Sequence, residues 1–361
     1  MSITNESVWK SLRLLLATLL SLSLSFAWAH AEAAPPVIRI GVAAEGVGGR
    51  PFSYRMSLDV ARAQGLLEKT FASSGTKIEW HYFRAAGPAV SEALAGHQVD
   101  FVFHGDLPSI IVRSTGIKTR YLMPLYARSN IYVAVPVQSP IKSLADLKGK
   151  VVSNFRGTAT QLVAARVLSS AGLSERDLRL VSLDTAGVNA ALATGQIDAA
   201  FCMLTTFGLK DKNLIRYVFS SHFQPRFSAV GGLLVTDDFA RQYPASVDRF
   251  VAAIVRGAWF AGQPQNREAV YDIWAKSGVP KDYFEREYKD QDLKVTTSPL
   301  VDDFVVAKYR AAAADALRFG LIRKPVDLNG WFDRGPLTRA LAAQHLENFW
   351  TPYKADGKPA A

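Results

Sequence analysis

Arginine forks, threonine hydroxyls and tight glycine turns recur in this chain where an apolar run ends and a helix begins. The clearest case is Val99-Asp100-Phe101-Val102-Phe103-His104-Gly105-Asp106-Leu107-Pro108-Ser109. An apolar strand ends there, and Gly105 permits a sharp turn and a close backbone approach to a ligand. Asp106 is placed to cap the helix that follows, whose first turn tolerates Pro108. A strand end feeding a helix start presents free backbone N–H groups and the positive end of a dipole, which suits an anion. Asn154-Phe155-Arg156-Gly157-Thr158-Ala159-Thr160 repeats that chemistry. Arg84 and Arg156 each stand at a predicted strand end, and a guanidinium fork matches paired oxygens. Thr158 and Thr160 add hydroxyl donors. His104 could donate or stack, and Phe83, Phe103 and Phe155 could line an organic tail. Asp106 would repel an anion if it faced inward, so it is read as a cap whose backbone N–H faces the ligand. Glu45, which follows Ala44 at the end of the first strand, could instead hold an amine.

The same inventory argues against catalysis. The six His do not fall at metal-ligand spacing, and neither H-E-x-x-H nor a Cys pair occurs. No G-x-S-x-G elbow is present. The glycine-rich loop Ala44-Glu45-Gly46-Val47-Gly48-Gly49-Arg50-Pro51 lacks the Lys-Ser/Thr ending of a phosphate loop. A binding protein with no metal and no cofactor is expected. The net charge of +10 comes without a Lys/Arg-rich run, which favours a small anion over nucleic acid.

The elements that must position these residues read as follows. Residues 1–34 form a leader: Lys10 and Arg13 precede an apolar run from Leu14 to Phe26, and Ala-x-Ala patterns end at Ala31 and Ala33. The run is short for a membrane span, for which roughly 20 residues are needed. No Cys near the cleavage site offers a lipid anchor. Cys202 is the single cysteine, so no internal disulfide forms, as suits an exported bacterial protein of ordinary size. Strands are expected at 37–43, 77–83 and 99–103, with helices between them and a break at Gly65. A second block has strands at 131–137 and 151–153 and a helix from about Thr160. Short alternating strands and helices argue for parallel α/β architecture, with ligands outside the carboxyl ends of the strands. Ala93-Leu94-Ala95-Gly96-His97-Gln98-Val99-Asp100-Phe101-Val102-Phe103 echoes Ala191-Leu192-Ala193-Thr194-Gly195-Gln196-Ile197-Asp198-Ala199-Ala200-Phe201, which suggests one copy per lobe. Beyond Thr236 the chain reads as helical, and those helices are expected to cover the first lobe.

These features resemble periplasmic solute-binding proteins of ABC importers for aliphatic sulfonates, taurine and nitrate, most nearly the aliphatic sulfonate branch. The resemblance rests on Ile38-Arg39-Ile40-Gly41, Ala63-Gln64-Gly65-Leu66-Leu67-Glu68-Lys69, Glu79-Trp80 with Phe83, Ala86-Gly87-Pro88, Glu92-Ala93-Leu94 and Gly105-Asp106 with Pro108. It continues through Ser139 to Lys150 and in Gly320-Leu321-Ile322 with Lys324-Pro325-Val326. It implies a two-lobed α/β binding protein of type II, with two crossing strands and a ligand cleft between lobes. Lobe 1 would be 35–128 plus 229–361, and lobe 2 would be 129–228. It implies a monomer that captures a small organic anion and delivers it to an inner-membrane permease. It places Gly105 and Asp106 on one side of the ligand and Gly157 and Thr158 on the other. The chain departs from the family at Val42-Ala43-Ala44-Glu45, at Cys202-Met203-Leu204-Thr205-Thr206 and at Ala127-Arg128-Ser129-Asn130. These departures make a bulkier or aromatic sulfonate or a sulfate ester plausible. Asn130 joins the candidate contacts. A thiamin-pyrimidine synthase group shares the fold but carries a Cys cluster that this chain lacks.

Overall fold

The structure, a computed structural model, describes residues 34–222 and 224–360. The expected leader, all but its last residue, lies outside the described residues. The first sheet begins with β1 (Val37–Val42), in which Ile38, Ile40 and Val42 are fully buried while Arg39 turns outward. Helices α1 (Ser57–Ala63) and α2 (Leu66–Phe71) follow, separated at Gly65, whose φ of +62° is left-handed. Next come β2 (Lys77–Tyr82), α3 (Ala86–Ala95), β3 (Phe101–Gly105), α4 (Asp106–Ser114) and β4 (Thr119–Ser129). After Asn130 and Ile131 the chain enters a second sheet. Its parts are β5 (Tyr132–Pro136), β6 (Val151–Ser153), α5 (Ala159–Ser170), β7 (Arg179–Val181), α6 (Thr185–Ala193), β8 (Ala199–Cys202) and β9 (Ile215–Ser220). The chain returns through β10 (Ala229–Thr236). It then runs through α7 (Asp237–Gln242), α8 (Pro244–Ala261), α9 (Arg267–Ala275), α10 (Lys281–Glu287), α11 (Asp303–Arg318) and α12 (Gly335–Ala343).

The strand order is β2-β1-β3-β10-β4 in one sheet and β7-β6-β8-β5-β9 in the other. In each, three parallel strands meet an antiparallel strand supplied from the far side of a crossing. The two echoed segments occupy equivalent places, on α3–β3 and α6–β8. Their hydrogen bonds match as well. Asp100 accepts from the Arg39 amide at 2.8 Å, and Asp198 accepts from the Val151 amide at 2.7 Å. Gln98 and Gln196 each donate a backbone bond of 2.9 Å to the helix just ended. A buried strand entered directly from a helix tail needs an acceptor for an amide of the neighbouring strand, and an aspartate supplies it twice.

Two expectations change. The helices after residue 262 do not all cover the first lobe: Trp274 on α9 and Phe284 on α10 share a buried cluster with Phe207 and Ile215 of the second lobe. Strands β4, β7 and β9 had no separate forecast. β4 carries Arg120, Pro124 and Arg128 and breaks register with β10, so its alternation is blurred.

Candidate functional site

Between the two sheets lies a cleft of about 440 Å³. Five helices begin on it: α1 after Met56, α3 at Ala86, α4 after Gly105, α5 after Thr158 and α6 after Asp184. The first amides of a helix have no partner within it, so these starts ring the cleft with donors and positive dipole ends. The loop from Ala43 to Gly49 forms one wall.

Six of the eleven candidates line this cleft: Ala44, Glu45, Arg84, Gly105, Thr158 and Thr160. Gly105 is there for a reason other than the turn. Its φ is −70°, open to any residue, but a Cβ at this position would meet the Ala159 Cβ of the opposite lobe at 3.0 Å. The Thr158 hydroxyl donates to the Phe155 carbonyl at 2.7 Å, and its oxygen remains an acceptor. Arg84 is already engaged: its Nε donates to Asp184 across the cleft at 2.7 Å. Asp184 in turn caps α6 by accepting from the Gly187 amide at 2.8 Å. That amide, then Arg84, hold the Asp184 carboxylate below its usual range. Glu45 stands within the field of Arg84.

The other five candidates sit elsewhere. His104 is fully buried behind the cleft, its Nε2 3.1 Å from the Gly87 carbonyl, and burial pushes its pKa down to about 4. Asp106 is not the cap, because Gly105 holds that position. Its carboxyl is wholly buried, Oδ1 accepts from the Leu107 amide at 2.8 Å, and burial raises its pKa despite the fields of Arg166 and Lys308. Asn130 lies at the crossing between sheets and donates to Glu287 at 3.0 Å, away from the cleft. The Arg156 side chain is exposed and outside the lining, while its amide donates to the Ser182 hydroxyl at 3.2 Å. Gly157 makes the turn at φ +72°, but its amide is spent on the Gln161 side chain at 2.7 Å.

Sequence reasoning passed over Arg55. It lines the cleft half-buried, with its guanidinium 4.9 Å from the Tyr126 ring centroid and 5.5 Å from that of Tyr54. Among the described residues it has no hydrogen-bond or ion-pair partner. The carboxylates of Asp59 and Glu287 reach it only through their fields, and a half-buried cation with no direct ion pair can accept an anion. Its backbone is left-handed, at φ +66°. The loop is held by Asp59, which accepts from the Met56 amide at 3.1 Å and from the Ser53 hydroxyl. Asn189 was also missed: it lines the cleft with an unpartnered buried Oδ1. No sequence signal separates Arg55 from the other 41 Lys and Arg.

Cys202 is buried outside the cleft lining, and burial pushes its thiol up to about 12, so it is no thiolate nucleophile. Among the described residues no His, Cys, Asp and Glu cluster could hold a metal.

The NMT1/THI5-like family model matches residues 71–267, more than half of the chain. The chain belongs to the NMT1/THI5-like family. Within that family setting, it is 35% identical over 190 residues to an Escherichia coli K12 protein named for binding aliphatic sulfonates. That match takes in 52% of this chain and 55% of the relative, so the chain spans about half the relative's length. The periplasmic sulfonate-binding protein SsuA of Methylobacillus flagellatus KT superposes with a TM-score of 0.75 at 30% identity, covering 90% of this chain and 98% of that one. The alkanesulfonate-binding SsuA of Xanthomonas axonopodis pv. citri, solved with MOPS, gives 0.71 at 25% identity, covering 84% and 100%. The NMT1/THI5-like chain described here is thus a two-lobed binding protein in fold, similar over nearly its whole described length to sulfonate-binding proteins.

Proposed function

We propose that this protein is the periplasmic solute-binding component of an ABC importer, capturing an organosulfur anion and passing it to an inner-membrane permease. The observation that carries this reading is Arg55. It is an unpaired guanidinium in a cleft ringed by helix starts, and a sulfonate is a permanent anion with three acceptor oxygens. Donors from both lobes would then favour the closed state, so binding and closure are linked without chemical conversion. The names of the sulfonate-binding relatives support the same ligand class.

The test is isothermal titration and thermal shift of the purified protein in a buffer free of sulfonates, against sulfonates, sulfate esters and nitrate. A ligand at about 100 times its dissociation constant adds roughly 2.7 kcal/mol of stability. Arg55→Gln is expected to weaken sulfonate binding about 10- to 100-fold, the range for losing charge-assisted hydrogen bonds. The melting temperature of the free protein should hold. Unchanged affinity in this variant would remove Arg55 from the site, and silence of the wild type toward every anion would remove the reading.

A further inference from the structure

Besides the polar groups of Arg55 and Asn189, the cleft holds an aromatic ring with no ring partner, that of Phe155. Phe155 is half-buried and lines the cleft from the second lobe. Its ring belongs to neither buried hydrophobic cluster, while its neighbours on the wall, Ala43, Ala44 and Met203, pack against the larger one and Tyr54 against the smaller. Among the described residues no other aromatic ring stacks on it or meets its edge. A phenyl ring held half in water without a ring partner forgoes the contacts that rings make with one another. Its place in the chain says what would restore them. Three residues beyond it stands Thr158, the cap of α5, and the free amides of Ala159 and Thr160 follow. An anionic head group held at those amides would leave its organic substituent in the cleft that Phe155 also lines.

The size of the cleft agrees. At about 30 Å³ per water, 440 Å³ is room for about fifteen waters, far more than nitrate or a one-carbon sulfonate displaces. Tyr54, Tyr126 and Phe103 add ring surface, and Met56 and Met203 add polarizable sulfur that packs well on ring edges.

We infer that the ligand is an aryl sulfonate, with the ring bonded directly to sulfur stacked on Phe155, which is the specificity-determining residue. This rests on the anion-capture reading above. The experiment is titration calorimetry with benzenesulfonate, cyclohexanesulfonate and hexane-1-sulfonate, which share a head group and a carbon count. Wild-type protein should bind benzenesulfonate about 2- to 12-fold more tightly than the two saturated probes, the range measured for ring pairs beyond area burial. Phe155→Leu should erase that preference, so that the three probes bind with equal affinity, while the melting temperature stays nearly unchanged. Equal affinities in the wild type, or a preference that survives in Phe155→Leu, would overturn the inference and leave anion capture standing. Silence toward all three probes and toward every other sulfonate would overturn both.

Discussion

Arg156 and Arg55 have the same chemistry and opposite placements. Arg156 follows a strand and precedes a helix start, as an anion clamp should, yet its side chain is exposed. Arg156→Ala is therefore expected to leave ligand affinity within error of the wild type, read by the same calorimetry in which Arg55→Gln loses binding. His104 makes a different prediction. It stays neutral in the fold down to about pH 4, whereas in the unfolded chain it takes its proton near 6.5. The unfolded state thus binds more protons between those values. The His104 contribution is complete above pH 6.5 and is lost as the pH falls toward 4, by an amount on the order of 3 kcal/mol. His104→Gln should flatten the fall of melting temperature over that window, measured by scanning calorimetry. A slope identical to the wild type would assign it to other groups.

At the scale of elements, the helix starts are held by one another across the cleft. The cap of α6, Asp184, is also the partner of Arg84, which follows β2 on the other lobe. On the opposite side Arg166 of α5 meets Asp315 of α11 at 2.7 Å. Arg84 is well exposed, so its pair contributes little to folding and is open to screening by salt. Its effect belongs to closure. Arg84→Gln should speed ligand release in stopped-flow measurements at low salt, and the difference from the wild type should shrink at high salt. A release rate unmoved at low salt would show that the pair is not a latch.

For the molecule as a whole, the described state has its lobes in contact. Gly105 faces Ala159, and a Cβ at Gly87 would meet the Gly157 carbonyl oxygen at 2.9 Å. Small residues at these points let the lobes meet without a side chain between them. Gly105→Val should wedge them apart. The wild-type radius of gyration in small-angle scattering is expected to fall when a saturating sulfonate is added, and that of Gly105→Val should stay at the open value with weakened binding. Full compaction of the variant would show that the contact tolerates a larger residue.

Much of this architecture was legible in the chain because it rests on short-range physics. Alternating apolar residues, the left-handed Gly65 and the paired helix-tail, glutamine and aspartate signals each act within a dozen residues of one another, and they foretold β1 to β3, α1 to α5 except for caps, the tail of α6, and the repeat of one lobe in the other. The candidate site was legible in outline only. Helix starts can be read from sequence, but the direction of a side chain depends on what packs against it. Asp106 lies under buried Lys308 and Arg166, groups 60 and more residues away. Arg84 finds its partner 100 residues on, and Asn130 finds Glu287 at a separation of 157. Arg55 reaches the cleft because a left-handed backbone, fixed by Asp59, turns it between two rings from different parts of the fold. Local periodicity determined which elements form and in what order. Tertiary packing alone decided that the Arg55 guanidinium in the cleft was left without an ion pair among the described residues, since a charge is neutralised by whatever the folded chain brings within a few ångströms of it.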